Sequence, residues 1–266
     1  MSNRVAVVIP VYKTTLEAYE EASLKQCCKI LGDHSLFLIR PEGLELTTYT
    51  PFLKENRYRV ETFPSHFFRD IKGYNNLMLS AEFYERFLDY DFILIYQLDA
   101  FVFKDELLIW CEQGFDYIGA PWIERDKWKH RIRSYLHHRS NRKQPNSMLP
   151  TIWQFYNRVG NGGFSLRRVE KFYNLCKSER ALIDFYNANN ESKFFNEDVF
   201  WSLEVNRKKK RLHIPGYRIA VHFSIEQQPE LAMKFMKNDL PFGLHGLNVY
   251  PDFWRPYIRQ AGYAIF

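Results

Sequence analysis

DFILIYQLDAFVF, Asp91 to Phe103, is an apolar run that begins after Asp91 and is interrupted by one further carboxylate, Asp99. Its first half is rich in β-branched and aromatic residues and shows no polar alternation. That pattern predicts a strand buried on both faces, as in the middle of a parallel sheet. The acid then falls just past the strand's carboxyl end. In open α/β sheets that edge is where ligands bind.

Working outward, RVAVVIP (Arg4 to Pro10) is a second near-continuous apolar run, followed by SLFLI (Ser35 to Ile39) and the weaker YRVETF (Tyr58 to Phe63). Between them, Thr15 to Leu31 places Leu16, Tyr19, Leu24 and Cys27 toward one side of a helix. Gly73 to Tyr90 reads as one helix with Leu77, Phe83, Tyr84 and Phe87 inward. Alternation of strand and helix predicts an α/β fold, a Rossmann-like, mostly parallel central sheet flanked by helices. Downstream, DYIGAPW (Asp116 to Trp122) reads as a short strand running into a turn. Ile123 to Pro150 is a polar, basic excursion, expected to be mobile and partly helical. VGNGGFSLRR (Val159 to Arg168) is a glycine-rich loop leading into a strand and then a helix. FFNEDVFWSLEV (Phe194 to Val205) starts a helix at Asn196 or Glu197, and RKKKR (Arg207 to Arg211) follows it. YRIAVHFSIE (Tyr217 to Glu226) reads as a strand and PFGLHGL (Pro241 to Leu247) as a turn. Without a repeat or a linker, one domain over residues 1–266 is expected, with a nucleotide-binding half to about residue 120 and an acceptor half beyond it.

Composition narrows the class. With 46% hydrophobic and 26% charged residues the chain is globular, not disordered. No apolar run reaches the roughly 20 residues needed to span a bilayer. The opening MSNRVAVVIPVYK lacks a basic lead and a cleavage site, so it reads as a first strand, not a signal peptide. Cys27, Cys28, Cys111 and Cys176 form no CxxC pair, and free thiols in a reducing cytosol account for them. The net charge of +6 favours phosphorylated partners, anionic membrane surfaces or nucleic acid without choosing among them.

Several residues carry candidate chemistry, each beside a plainer role. Asp99 can hold a divalent cation that in turn holds a diphosphate, or serve as a helix cap. Glu197 and Asp198 can supply a general base, or complement a helix N-terminus. Gly160 to Phe164, GNGGF, allows close backbone approach to a ligand, or a tight turn, and matches neither GxGxxG nor a Walker loop. His245, between glycines, can ligate a metal or donate to a diphosphate, or lie on the surface. Lys13 and Lys72 sit near strand–helix junctions where phosphates bind. Trp122, Trp153 and Trp201 can stack on a sugar or base, or fill the core. The segment Arg125 to Lys143, with Trp128 and Tyr135 interleaved, can meet anionic lipid or nucleic acid, or stay solvated.

In their order, VAVVIPVYK, GYNNLMLS, YQLDAFVF, DYIGAPW, GNGGFSLR, NEDVFW and PFGLHG resemble a GT-A-type family of glycosyltransferases, a domain formerly of unknown function found in bacterial polysaccharide loci. The resemblance runs from about Arg4 to Leu247 and implies a GT-A-like fold with a nucleotide-sugar site at the sheet edge. It implies that Asp99 ends a D-x-D-like segment, here Gln97-Leu98-Asp99 with glutamine in place of the first acid. It implies His245 as a second metal ligand, and Asp198, beside Glu197, as the base of an inverting transfer. Pro10, Tyr12, Lys13, Lys72, Asn75, Gln97, Asn161, Gly162, Gly163 and Trp122 would then contact substrate. A divalent cation, Mn²⁺ or Mg²⁺, is the implied cofactor, with imidazole favouring the softer ion. The implied partners are a nucleoside-diphosphate sugar and a glycan or lipid-linked acceptor, with no nucleic acid. The expected location is cytoplasmic, with peripheral membrane contact through residues 125–143. Two other readings stand beside this one. A sugar-phosphate nucleotidyltransferase would need a glycine-rich basic loop after the first strand, which PVYKTTLEAYEE lacks. A non-catalytic glycan or nucleic-acid binder would suit the substituted Gln97 and the basic excursion.

Overall fold

A computed structural model describes residues 4–53, 56–125, 127–143, 150–237 and 239–265. In chain order its strands are β1 (Val5–Pro10), β2 (Ser35–Pro41), β3 (Tyr58–Phe63), β4 (Phe92–Tyr96), β5 (Phe101–Val102), β6 (Tyr117–Ile118), β7 (Pro121–Trp122), β8 (Arg158–Val159), β9 (Phe164–Arg168), β10 (Ser224–Ile225) and β11 (Gly243–Leu244). The central sheet is six-stranded in the order β3-β2-β1-β4-β9-β6. The first four are parallel, and β9 runs antiparallel to both β4 and β6. β10, β11 and β5 form a smaller sheet, and β7 pairs with β8.

Both faces of the central strands are covered, which is why their sequences are apolar without alternation. Val5, Val7, Ile9, Phe92 and Leu94 face one core with Leu24, Cys27 and Leu31 of the helix Ala18–Leu31. Ala6, Val8, Ile93 and Ile95 face the other, under Leu77, Phe83, Tyr84, Phe87 and Phe172. Each buried valine, leucine, isoleucine and phenylalanine among them contributes about 1.5–3 kcal/mol relative to exposure. A third cluster, with Phe101, Leu244 and Trp254, lies between the small sheet and the C-terminal helices. All four cysteines are buried and unpaired. Among the described residues no helix is long and apolar enough to cross a membrane.

Two sequence expectations change, and a third, the partly helical excursion, is seen as a helix. The helix expected over Gly73 to Tyr90 is two, Ile71–Met78 and Ala81–Glu85. Ser80 separates them because it is extended and its hydroxyl accepts from the Phe83 amide, a helix cap. The strand expected at Tyr217 is the helix Tyr217–Phe223, with only Ser224–Ile225 extended. Ala220, Val221 and Phe223 are buried there on helical spacing, and that packing overrides their β-preference. The basic excursion contains a 16-residue helix, Trp128–Lys143. Its later part, 144–149, lies outside the described residues.

Candidate active site

Strand ends gather the site. After β4 the chain turns through Gln97-Leu98-Asp99-Ala100, closed by the Ala100 amide on the Gln97 carbonyl at 2.9 Å. It then enters β5, which pairs antiparallel with β11, Phe101 opposite Leu244. That register sets His245, the residue after β11, beside the turn that carries Asp99. β10 lies parallel to β11, Ile225 beside Leu244, and so brings Glu226 to the same place. β9 pairs with β4, Phe164 opposite Tyr96, and the Gln97 amide donates to the Gly163 carbonyl at 2.8 Å.

The result is a cluster around one imidazole. His245 Nε2 lies 3.1 Å from Asp99 Oδ1 and 3.1 Å from Gln97 Oε1, and its Nδ1 lies 3.5 Å from Glu226 Oε1. Burial alone would push the imidazolium down; Asp99 and Glu226 together outweigh it and hold His245 up at about 10. Burial would raise Asp99, but the His245 charge and hydrogen bond bring it below the usual carboxylate value. Among the described residues no group of three His, Cys, Asp or Glu side chains is gathered to hold a metal ion. Asp99 and the amide Gln97 nevertheless each lie 3.1 Å from His245 Nε2, the separation that neighbouring ligands keep around one ion with bonds of about 2.1 Å, and an ion bound there would displace the His245 proton. The three fit a partial coordination sphere that phosphate oxygens or water would complete.

One hollow takes in the cluster's Gln97 and Asp99, and a second borders it at Gln227, the residue after Glu226. The first, of about 110 Å³, is lined by Pro10, Tyr12, Lys13, Tyr19, Tyr49, Gln97 and Asp99. Tyr12 stands exposed at its rim. Lys13 Nζ is paired at 2.6 Å with Glu20, which also closes the capping box of the helix Ala18–Leu31. The second hollow, of about 350 Å³, is walled by Trp122, Trp153, Phe155, Tyr156 and His130, with Asp198 in its lining. Burial first, and then the Glu197 and Glu226 carboxylates, push Asp198 up to about 7. Asp198 Oδ1 also accepts from the Val199 amide at 2.8 Å.

The glycine turn lies between these parts. A Cβ on Gly163 would stand 2.0 Å from His245 Nε2 and 2.6 Å from Gln97 Oε1, and one on Gly162 would stand 1.8 Å from Glu197 Oε1. Both glycines are therefore required by the chain's own packing. Asn161 takes φ +55° and its Oδ1 accepts from the Gly163 amide, holding the turn.

Four residues expected at substrate are engaged elsewhere. Glu197 is buried, bonded at 2.9 Å to the fully buried guanidinium of Arg167. Burial lifts its carboxyl while Arg167 opposes the rise. Asn75 is buried behind the same turn, accepting from the Glu197 amide and donating to Asn196. Lys72 forms an exposed pair with Glu191. Trp201 packs in the core against Phe172, and its indole N–H donates to the Met78 carbonyl. Sequence reasoning missed Glu226, although an acid directly after the apolar FSI repeats the signal that marked Asp99. It also missed Arg167, which alternation along FSLRR places on the face opposite Leu166.

Known structures supply the context. Mouse xyloside xylosyltransferase 1, in its apo form, shares 11% identity and a TM-score of 0.51, covering 90% of this chain and 96% of that one. The apo-form glycosyltransferase GlyE of Streptococcus pneumoniae TIGR4 shares 12% identity and a TM-score of 0.54; the likeness covers 96% of this chain and 60% of that one. At such identities the likeness is one of fold, and the fold is of the GT-A type. The chain belongs to the family described as protein of unknown function (DUF5672), which matches residues 57–245. That span contains Gln97, Asp99, Asp198, Glu226 and, as its last residue, His245, and leaves Pro10, Tyr12 and Lys13 outside. No curated protein sequence matches the chain significantly.

Proposed function

We propose that the chain is a glycosyltransferase, moving a sugar from a nucleoside-diphosphate donor to a hydroxyl acceptor in glycan synthesis, with inversion. The observation that carries this reading is the meeting of Asp99 and His245, 3.1 Å apart at the carboxyl edge of the sheet, beside a hollow that contains Asp198. The first hollow takes part of the donor, with Tyr12 at its rim offering a flat face to the base. The aromatic second hollow suits the apolar face of an acceptor sugar. A divalent cation held by Asp99, His245 and Gln97 would supply positive charge to the leaving diphosphate.

The chain's own groups then divide the work. The acceptor oxygen attacks the anomeric carbon as the bond from that carbon to the diphosphate oxygen breaks, and the leaving oxygen keeps the electron pair. Asp198 takes the acceptor's proton. A base titrating near neutrality is matched to that task. Gly163 keeps His245 and Gln97 in register with Asp99, and the Arg167–Glu197 pair holds the turn that presents Asp198. The test is nucleoside-diphosphate release from a panel of sugar nucleotides mixed with hydroxyl acceptors. Transfer by the wild type and its loss in Asp198→Asn, with donor binding retained, are expected; an Asp198→Asn variant as active as wild type removes Asp198 as the base.

A further inference from the structure

A helix on a protein surface ordinarily turns its apolar stripe inward. The helix Trp128–Lys143 does the opposite. Its inward side is polar: His130, Ser134, His137 and Asn141. His130 packs on Trp153 with ring centroids 5.1 Å apart, His137 bonds Thr151 and Asn141, and the Asn141 carbonyl accepts from Arg207 at 2.7 Å. Its outward side carries Trp128, Ile132, Tyr135 and Leu136, which are 67%, 48%, 62% and 55% exposed. Their spacing puts them within one arc of about 100°. Among the described residues, nothing packs over that stripe.

Charge identifies what covers it. The helix contains no acidic residue, and Lys129, Arg131, Arg133 and Arg139 are exposed along it. The Arg207–Asn141 bond joins its last turns to the RKKKR loop, where Lys208, Lys209 and Lys210 are also exposed. Tryptophan and tyrosine with aliphatic side chains, flanked by cations, form the combination that settles at the headgroup boundary of a bilayer. A nucleic acid would need the cations but not an aliphatic stripe. We propose that this face docks the protein on an anionic lipid bilayer, with Trp128, Ile132, Tyr135 and Leu136 inserted and the surrounding lysines and arginines against the headgroups. The docking face and the aromatic hollow are opposite sides of one helix, since His130 borders that hollow. The proposal goes beyond the sugar-transfer reading, and its test does not use that activity.

The test is sedimentation of the full chain with vesicles of phosphatidylcholine alone or mixed with phosphatidylglycerol. The wild type is expected to pellet with the mixed vesicles at low salt and to remain in solution with neutral ones. Lys129→Gln with Arg139→Gln should weaken the affinity by on the order of fivefold for each cation removed. Trp128→Ser with Leu136→Ser should weaken it further while leaving every cation in place. All four side chains point outward, so folding should be retained in both variants. Wild type that stays in solution with the mixed vesicles, or a Trp128→Ser, Leu136→Ser variant that pellets like wild type, overturns the proposal. So does a wild-type dimer that the same pair of substitutions dissociates, or oligonucleotide binding in place of vesicle binding.

Discussion

Adding one methyl group at Gly163 should dismantle the cluster without replacing a charged residue. A Cβ there would stand 2.0 Å from His245 Nε2, 2.4 Å from its Cδ2 and 2.6 Å from Gln97 Oε1. Ordinary contact requires about 3.4 Å or more, so the ring must retreat by over an ångström. It has little freedom to do so, because its amide donates to the Ile225 carbonyl at 3.0 Å and its ring lies between Asp99 and Glu226. Overpacking of this kind costs about 1–3 kcal/mol. A misplacement of about 1 Å in a positioning group lowers turnover on the order of 100-fold. Gly216→Ala is the matched control, since a Cβ there meets nothing within 4 Å and its φ of −73° suits alanine. Urea unfolding and nucleotide release would be read on both variants. Gly163→Ala should be less stable and nearly inactive, with Gly216→Ala, an N-cap position where the lost capping offsets the entropic gain, within about 1 kcal/mol of wild type. A Gly163→Ala protein that matches Gly216→Ala in both assays would refute the reasoning, because His245 would then not need its place beside Asp99.

Glu197→Gln leaves the Arg167 guanidinium buried without its counter-charge, and a loss of about 3 kcal/mol in urea unfolding is expected; a loss below about 1 kcal/mol would remove the pair as the support of the turn. For Asp198, the folded-state value of about 7 lies above the ordinary carboxylate range. Its ionisation therefore opposes folding, negligibly below about pH 4, increasingly as pH rises, and fully above about 7. Asp198→Asn should be more stable than wild type at pH 8 and equal to it at pH 4, as read by thermal melts at both. The same group predicts that wild-type transfer falls as pH drops through about 7, and that Asp198→Asn loses about 10²–10⁴-fold in rate. A flat pH profile between 6 and 8 would contradict that role.

The central sheet was legible because β1 and β4 are buried on both faces, so their composition alone identifies them. Asp99 was legible for the same reason: an acid at the end of such a run has little to do in a core. The convergence on His245 was not, because it depends on β5, β10 and β11, two-residue strands too short to display any period. Glu226 was hidden behind Tyr217–Phe223, whose β-branched residues imitate a strand until tertiary packing makes them a helix. Glu197 and Asp198 are adjacent in sequence, but one helical step separates their directions by about 100°. Only Asp198 lines the hollow; Glu197 points to Arg167. Lys72 and Asn75 were placed by their segment, which says nothing of the partners that occupy them.

The central claim is that Asp99 and His245 together form the seat of a cation-assisted diphosphate. Calorimetric titration of nucleoside diphosphates into the wild type, Asp99→Ala and His245→Ala, each with and without Mn²⁺, tests it most directly. Binding by the wild type that strengthens with Mn²⁺ and disappears in both folded variants is the predicted result. Nucleotide binding that is equal in all three proteins, and indifferent to the ion, would contradict it.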